Sequence, residues 1–347
     1  MAEAFVEMGR NRLTELLNGI KKVRAVLVGD VCVDIYWSAD MTRSVLSRET
    51  PHFPLPVTQE RITPGAGGNA AANLMALSPK ALSVIGVTGD DWRGDCLRAS
   101  FSRAGISPEL LVGVPGRFTN AYCKPMRRGY SGEETEDPRI DFESFEPLPK
   151  EAEAELIERL EKAAASADVL CVSDQFANGC ITAAVRERIN GLAAEGLLVV
   201  ADSRLRIAEF RGAVLKPNEL ECARAAGYDE RLCAEGELLH AEAAAQRLAE
   251  LTGSDVCLTL GKRGCLIRSA EGCVHVHAVT VEPPVDTVGA GDCFLSAFSL
   301  ALAAGASYPE AGRLACLAAS VSVKKLGVTG TASADEILRR YDGAETQ

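Results

Sequence analysis

Short apolar runs rich in Val, Ile and Leu alternate with longer segments of helical period along most of the chain. RAVLVG (24–29), LSVIGV (82–87), ADVLCVS (167–173), GLLVVAD (196–202) and DVCLTLG (255–261) read as buried strands. Between them, NAAANLMALS (69–78), DDWRGDCLRASFSRAG (90–105) and the segments near 180–194 and 236–252 carry apolar residues at helical spacing. AVLKPN, GCLIRS and CVHVHAV continue the strand-like series, and two long helices are predicted at about 290–304 and 309–325. Strands and helices in this alternation predict βαβ units around a mostly parallel sheet, an α/β fold.

Two stretches break the rhythm. Residues 38–63 and 116–147 are rich in Pro, Thr, Arg, Glu and Gly, hold short alternating pieces such as FPLPV and TNAYCKPM, and have no helical period. They predict a small separate β-sheet set into the main domain, because unstructured loops of this length are uncommon. Such a sheet at the mouth of an α/β site acts as a lid, and its free edge suits pairing with a second copy, which predicts a homodimer through the lid. Ahead of the main domain (23–340), residues 1–22 place Phe5, Met8, Leu13, Leu16, Leu17 and Ile20 along a helical stripe, an extension docked on the body. Residues 341–347 are expected to be a C-terminal tail.

Composition narrows the partners. The 347 residues are 47% hydrophobic and 24% charged, with a formal net charge of -11, which argues against nucleic acid or an anionic membrane and for a small molecule. Twelve cysteines are scattered with no CxxC pair, the usage of a reducing cytosol. The N-terminal residues lack the uninterrupted apolar core of a signal peptide or membrane span.

The most informative stretch is VDTVGAGDCF (285–294), which leads into a long apolar helix pattern. The backbone N–H groups of Gly289, Ala290 and Gly291 are expected at a helix N-terminus, where unpaired amides and the helix dipole hold an anion. Asp292 follows in the first turn. A carboxylate beside a phosphate has a role if it accepts the proton of an attacking hydroxyl, and the helix end is expected to keep its pKa low. By itself the motif serves equally well as an N-terminal helix cap.

Other segments offer ligand-binding groups. In TPGAGGNAAAN (63–73), Gly67 and Gly68 allow close backbone approach, while Asn69 offers donor and acceptor to a sugar hydroxyl or caps its helix. The formal G-x-G-x-x-A match there is discounted, since Thr-Pro precedes it instead of an apolar strand. VGDVCVD (28–34) places Asp30 and Asp34 at the end of the first strand, where open α/β sheets bind ligands, and Asp30 serves equally well as a strand-end turn residue. Cys273, His275 and His277 alternate along one strand but lack a fourth metal ligand at useful spacing. No P-loop motif and no H-R-D sequence is present.

DTVGAGD resembles the C-terminal motif of the ribokinase or PfkB-type carbohydrate kinases. TPGAGGNAAAN, LKPNELE (215–221) and LTLGKRG (258–264) resemble that family's other elements in the same order. The resemblance covers roughly residues 23–340 and implies a ribokinase-like three-layer α/β/α sandwich with a β-sheet lid. It implies ATP and Mg²⁺, with a sugar or sugar phosphate gripped by Asp34, Gly67, Gly68 and Asn69, and Asp30 beside them. Asn218 would face the nucleotide phosphates and Glu221 would organise water around Mg²⁺, while Thr259, Gly261 and Gly264 would border the adenosine. Asp286, with the loop at Val288 and Gly327, would bind a monovalent cation such as K⁺, or Asp286 would cap its turn.

GDVCVDIYW, SRETPHFPLPV, RIDFESFEPL, SDQFANG and ADSR are most similar to the kinases acting on heptose 7-phosphate. Ile35 stands where that subgroup has Arg, Asn178 where it has Lys, and Ser203-Arg204 where it has Pro-Lys. Arg48, Arg127, Arg128 and Arg139 are candidate replacements for the missing charge. A nucleoside kinase and a catalytically silent sugar or nucleotide sensor are the alternatives, separated by ATP consumption with a panel of acceptors.

Overall fold

The computed structural model describes residues 8–344. Its strands are β1 (Arg24–Gly29), β2 (Val31–Asp40), β3 (Val57–Ala66), β4 (Ala81–Gly89), β5 (Leu111–Val114), β6 (Ala121–Arg128), β7 (Glu134–Glu136), β8 (Ile140–Phe142), β9 (Val169–Asp174), β10 (Val199–Ser203), β11 (Val214–Leu215), β12 (Val256–Thr259), β13 (Cys265–Ser269) and β14 (Gly272–Val276). The helices are α1 (Arg10–Ile20), α2 (Gly67–Ala76), α3 (Trp92–Arg103), α4 (Lys150–Ala164), α5 (Ala183–Ala194), α6 (Glu219–Ala226), α7 (Glu230–Glu235), α8 (Leu238–Thr252), α9 (Ala290–Ala303), α10 (Tyr308–Ser322) and α11 (Ala334–Ala344).

Nine strands form the main sheet in the order β14-β13-β12-β11-β10-β9-β1-β4-β5. Pairing is parallel from β12 to β5 and antiparallel through β13 and β14. Helices cover both faces, so the central strands are apolar without alternation; every residue of β9 and β10 is buried. One face packs Leu74, Phe101, Phe298, Leu314 and Ile337 against the sheet, and the other packs Leu156, Val185, Ala223 and Leu248. The first of these clusters also takes Met8, Leu13, Leu16, Leu17 and Ile20 from the N-terminal stripe, whereas Phe5 lies outside the described residues. Helix α11 runs on through residues 341–344.

The second sheet, ordered β3-β2-β6-β7 with β8 on β6, begins at Val31. Chain direction changes at Asp30, whose N–H donates to Ser173 O (2.9 Å) while its carbonyl accepts from Gly67 N–H (2.7 Å). Asp34 therefore lies within a lid strand and not at the end of β1, as the unbroken apolar run had suggested. FPLP is irregular, since Pro54 and Pro56 have no N–H for a ladder. Alternation along β2 buries Val33 and Ile35 in the main core and leaves Asp34 and Tyr36 on the opposite face.

Candidate active site

Helix α9 starts where the glycine motif predicts. Gly289 precedes it at φ +79°, a left-handed conformation that favours glycine, and a Cβ there would stand 2.6 Å from Asn69 Nδ2. The Ala290 N–H donates to Thr287 O (3.1 Å), so this one of the three amides expected to face an anion is already engaged. Gly291 and Asp292 continue the first turn, where amides have no intrahelical acceptor.

Asp292 accepts a 2.7 Å hydrogen bond from Asn69 Nδ2, which joins α9 to α2. Burial pushes its carboxyl up to about 7; Asn69 and Lys216 oppose the shift, whereas Asp202 and Asp34 reinforce it. The helix end does not hold this group low, as the sequence had suggested, because desolvation near two other carboxylates outweighs it. A carboxyl with this value exchanges protons near neutral pH.

The charge of Lys216 acts on this carboxyl. Its side chain is buried, with Nζ 3.2 Å from Asp202 Oδ2, and its pKa is raised although burial acts to lower it, because Asp202, Glu221 and Asp292 surround it. Neither Lys216 nor Asp202 was singled out from the sequence. The signal available was a lysine immediately before Pro217-Asn218, at the end of a buried strand.

At the junction of the two sheets, Gly67 packs under the Asp30 carbonyl, and a Cβ at Gly67 would come within 2.8 Å of that oxygen. Gly68 and Asn69 are buried at the start of α2. Asp34 is buried, with its carboxyl raised by desolvation and drawn back chiefly by Lys124, whose Nζ stands 3.4 Å away. Lys124 also donates to the Tyr36 hydroxyl (3.1 Å). Asp30 behaves differently from its neighbour: its carboxylate accepts backbone N–H groups from Gln175 (2.8 Å), Phe176 (2.8 Å) and Cys180 (2.6 Å). These donors make Asp30 the anchor of the 175–180 loop, in keeping with the strand-end turn role that the sequence allowed beside ligand contact.

Asn218 caps α6. Its Oδ1 accepts from Glu221 N–H and Glu221 Oε2 accepts from Asn218 N–H, both at 2.9 Å, a reciprocal capping box. Burial and Asp202 raise the Glu221 carboxyl, and Lys216 opposes them. Thr259 joins the same turn through its N–H to Pro217 O (2.9 Å), and the turn after β12 closes with Gly264 N–H on Gly261 O (3.1 Å). Asp286 ties two loops together: Oδ1 accepts from Val288 N–H and Oδ2 from Gly327 N–H, each at 3.0 Å. His275 Nε2 meets Arg263 O at 2.8 Å, and no metal-binding cluster of three such side chains occurs among the described residues. All twelve cysteines are free thiols.

The pfkB carbohydrate kinase family profile matches residues 25–335. The chain is 34% identical over 322 residues to the bifunctional protein HldE of Bradyrhizobium diazoefficiens, covering 91% of this chain and 63% of that one. With HldE of Desulfatibacillum aliphaticivorans it shares 31% over 318 residues, 90% of this chain and 61% of the other. The chain thus spans less than two thirds of these relatives. Its fold is similar to that of Arabidopsis thaliana ribokinase, solved with ribose and ATP (TM-score 0.70, 19% identity, 92% of this chain and 98% of that one). Escherichia coli phosphofructokinase-2, solved with potassium, gives a TM-score of 0.71 at 21% identity over 93% of this chain and 99% of that one. With the profile spanning nearly the whole main domain, the chain belongs to the pfkB family of carbohydrate kinases.

Proposed function

We propose that the chain transfers the γ-phosphoryl group of ATP to a hydroxyl of a sugar phosphate, with Asp292 as the general base. The hydroxyl proton passes to the Asp292 carboxylate as the sugar oxygen bonds to the γ-phosphorus. The bond from that phosphorus to the β–γ bridging oxygen breaks, and ADP leaves. Amides of Gly289 and Gly291 stabilise the charge on the transferring group, and Lys216 adds a buried positive charge behind it. The observation that carries this reading is Asp292 itself, on the first turn of α9, held by Asn69 and raised to about 7.

Asp34, Gly67, Gly68 and Asn69 would hold the acceptor. Thr259, Gly261 and Gly264 would border the adenosine. Mg²⁺ fits the remaining donors, because it retains several waters and Glu221 with Asp202 supplies carboxylates to orient them; it would neutralise phosphate charge. A monovalent cation would sit at the loop that Asp286 already joins to Val288 and Gly327. Similarity to HldE over nine tenths of the chain, with the lid segments, favours a heptose 7-phosphate acceptor. The free edge of β3 and exposed Val45, Leu46, Phe53 and Leu55 favour a homodimer through the lid. Free cysteines throughout favour the cytoplasm.

ATP consumption with a panel of sugars, sugar phosphates and nucleosides tests the reading. The expected result is turnover with a sugar phosphate, heptose 7-phosphate foremost. Stabilisation by ligands without turnover of any acceptor would favour the sensor instead.

A further inference from the structure

The inner face of the lid is a lattice of two cross-strand rows. Thr63, Asp34 and Tyr122 form one row and Arg61, Tyr36 and Lys124 the next, each residue in register with its neighbour on β3, β2 and β6. Residues opposite each other in a sheet share a face, so the six side chains stand together. Arg61 and Lys124 both lie against the Tyr36 ring, at 4.0 and 4.7 Å from its centre.

The charges on this face do not cancel. Lys124, Arg139 and Arg61 all act on the Asp34 carboxyl. Lys124 has Asp34 as its ion-pair partner, and Arg139 grips both oxygens of Asp141 at 2.7 and 2.8 Å. Among the described residues, Arg61 is in no ion pair of this face; its Nη2 donates to Gly327 O at 2.6 Å. Its Nη1 is buried without a partner, and so is the hydroxyl of Thr63 two residues along the same strand face. A charged donor and a hydroxyl on one strand face, both buried without a partner, call for an anion.

We infer that Arg61 is a specificity-determining residue, receiving through Nη1 an anionic substituent of the acceptor sugar, a phosphate monoester or a carboxylate, with Thr63 donating beside it. The inference rests on reading the cleft as a sugar-kinase site. The second nitrogen of Arg61 links the lid to Gly327, whose N–H is held by Asp286. An anion that fixes Arg61 therefore also fixes the loop preceding Asp292.

The test compares kcat/KM for charged and neutral acceptors: heptose 7-phosphate against heptose, fructose 6-phosphate against fructose, and 2-keto-3-deoxygluconate as the carboxylate arm. Wild type is expected to prefer a charged sugar at least about tenfold over its neutral counterpart. Arg61→Gln is expected to cut that ratio by about tenfold to a hundredfold, mainly through KM, and Arg61→Lys to recover part of it. Thermal stabilisation by heptose 7-phosphate or 2-keto-3-deoxygluconate, whichever wild type prefers, is expected to shrink in Arg61→Gln, a readout independent of turnover. A folded Arg61→Gln protein with an unchanged ratio overturns the inference. Wild-type preference for neutral sugars overturns it too, even if neither variant folds. Absence of ATP consumption with every acceptor would instead strike the kinase reading.

Discussion

The rim of the main sheet and the inner face of the lid both contribute residues to the proposed site, but they are built on opposite principles. Main-sheet strands are covered by helices on both faces, so polar groups gather at strand ends: Asp30 after β1, Asp202 in β10, Lys216 just beyond β11. These groups are buried and mostly paired within the protein, which makes them part of the framework as well as of the site. Lid strands have one apolar face on the core and one polar face opposite it, with Arg61 Nη1 and Thr63 Oγ1 unpaired. Asp30 and Asp34 display the contrast four residues apart. The first is held by three backbone donors, while the second pairs with a lysine of a neighbouring lid strand. Framework residues should therefore govern folding and kcat, and lid residues acceptor affinity.

Lys216→Met should give the largest effect. It removes the buried cation among Asp202, Glu221 and Asp292, and losing one partner of such a pair costs about 3–5 kcal/mol. Denaturant unfolding is expected to show that loss, with turnover falling alongside; a variant of wild-type stability would break the distinction. Asp34→Asn, on the lid, is expected to raise KM for the sugar about tenfold to a hundredfold with a much smaller change in stability. Steady-state kinetics with thermal unfolding on one sample checks both halves, and a loss of stability as large as that of Lys216→Met would erase the contrast.

A smaller effect concerns pH. The Asp292 carboxyl is raised in the folded protein, so the folded state binds the extra proton between about pH 4 and pH 7, and stability from this group declines as pH rises through that window. Asp292→Asn is therefore expected to raise the thermal midpoint of the ligand-free protein by a few degrees above pH 7, with the gain shrinking towards pH 4. Melting curves across that range check the sign.

The framework was largely legible in the sequence because burial on both faces leaves continuous apolar runs, and because glycine before a long apolar pattern marks the start of a helix. The lid was less legible. RAVLVG and VCVDIYW look like one strand, and only the tertiary pairing of Asp30 with Ser173 and Gly67 reveals the change of sheet. Arg61, Tyr36 and Lys124 come together through register between β3, β2 and a parallel β6 from a distant segment, which local spacing does not encode. The raised carboxyl of Asp292 escaped for a similar reason: its helix position is local, whereas its burial, and the approach of Asp202 and Asp34, arise through the fold.

The central claim is that Asp292 takes the acceptor proton. Turnover of the preferred acceptor by Asp292→Asn, set beside its binding of a non-hydrolysable ATP analogue, tests this most directly. The account predicts a fall of about 10²–10⁴-fold or more in kcat with nucleotide binding preserved, and loss of the wild-type acid limb near pH 7 from any residual activity. Turnover within tenfold of wild type, with the acid limb still in place, would contradict it.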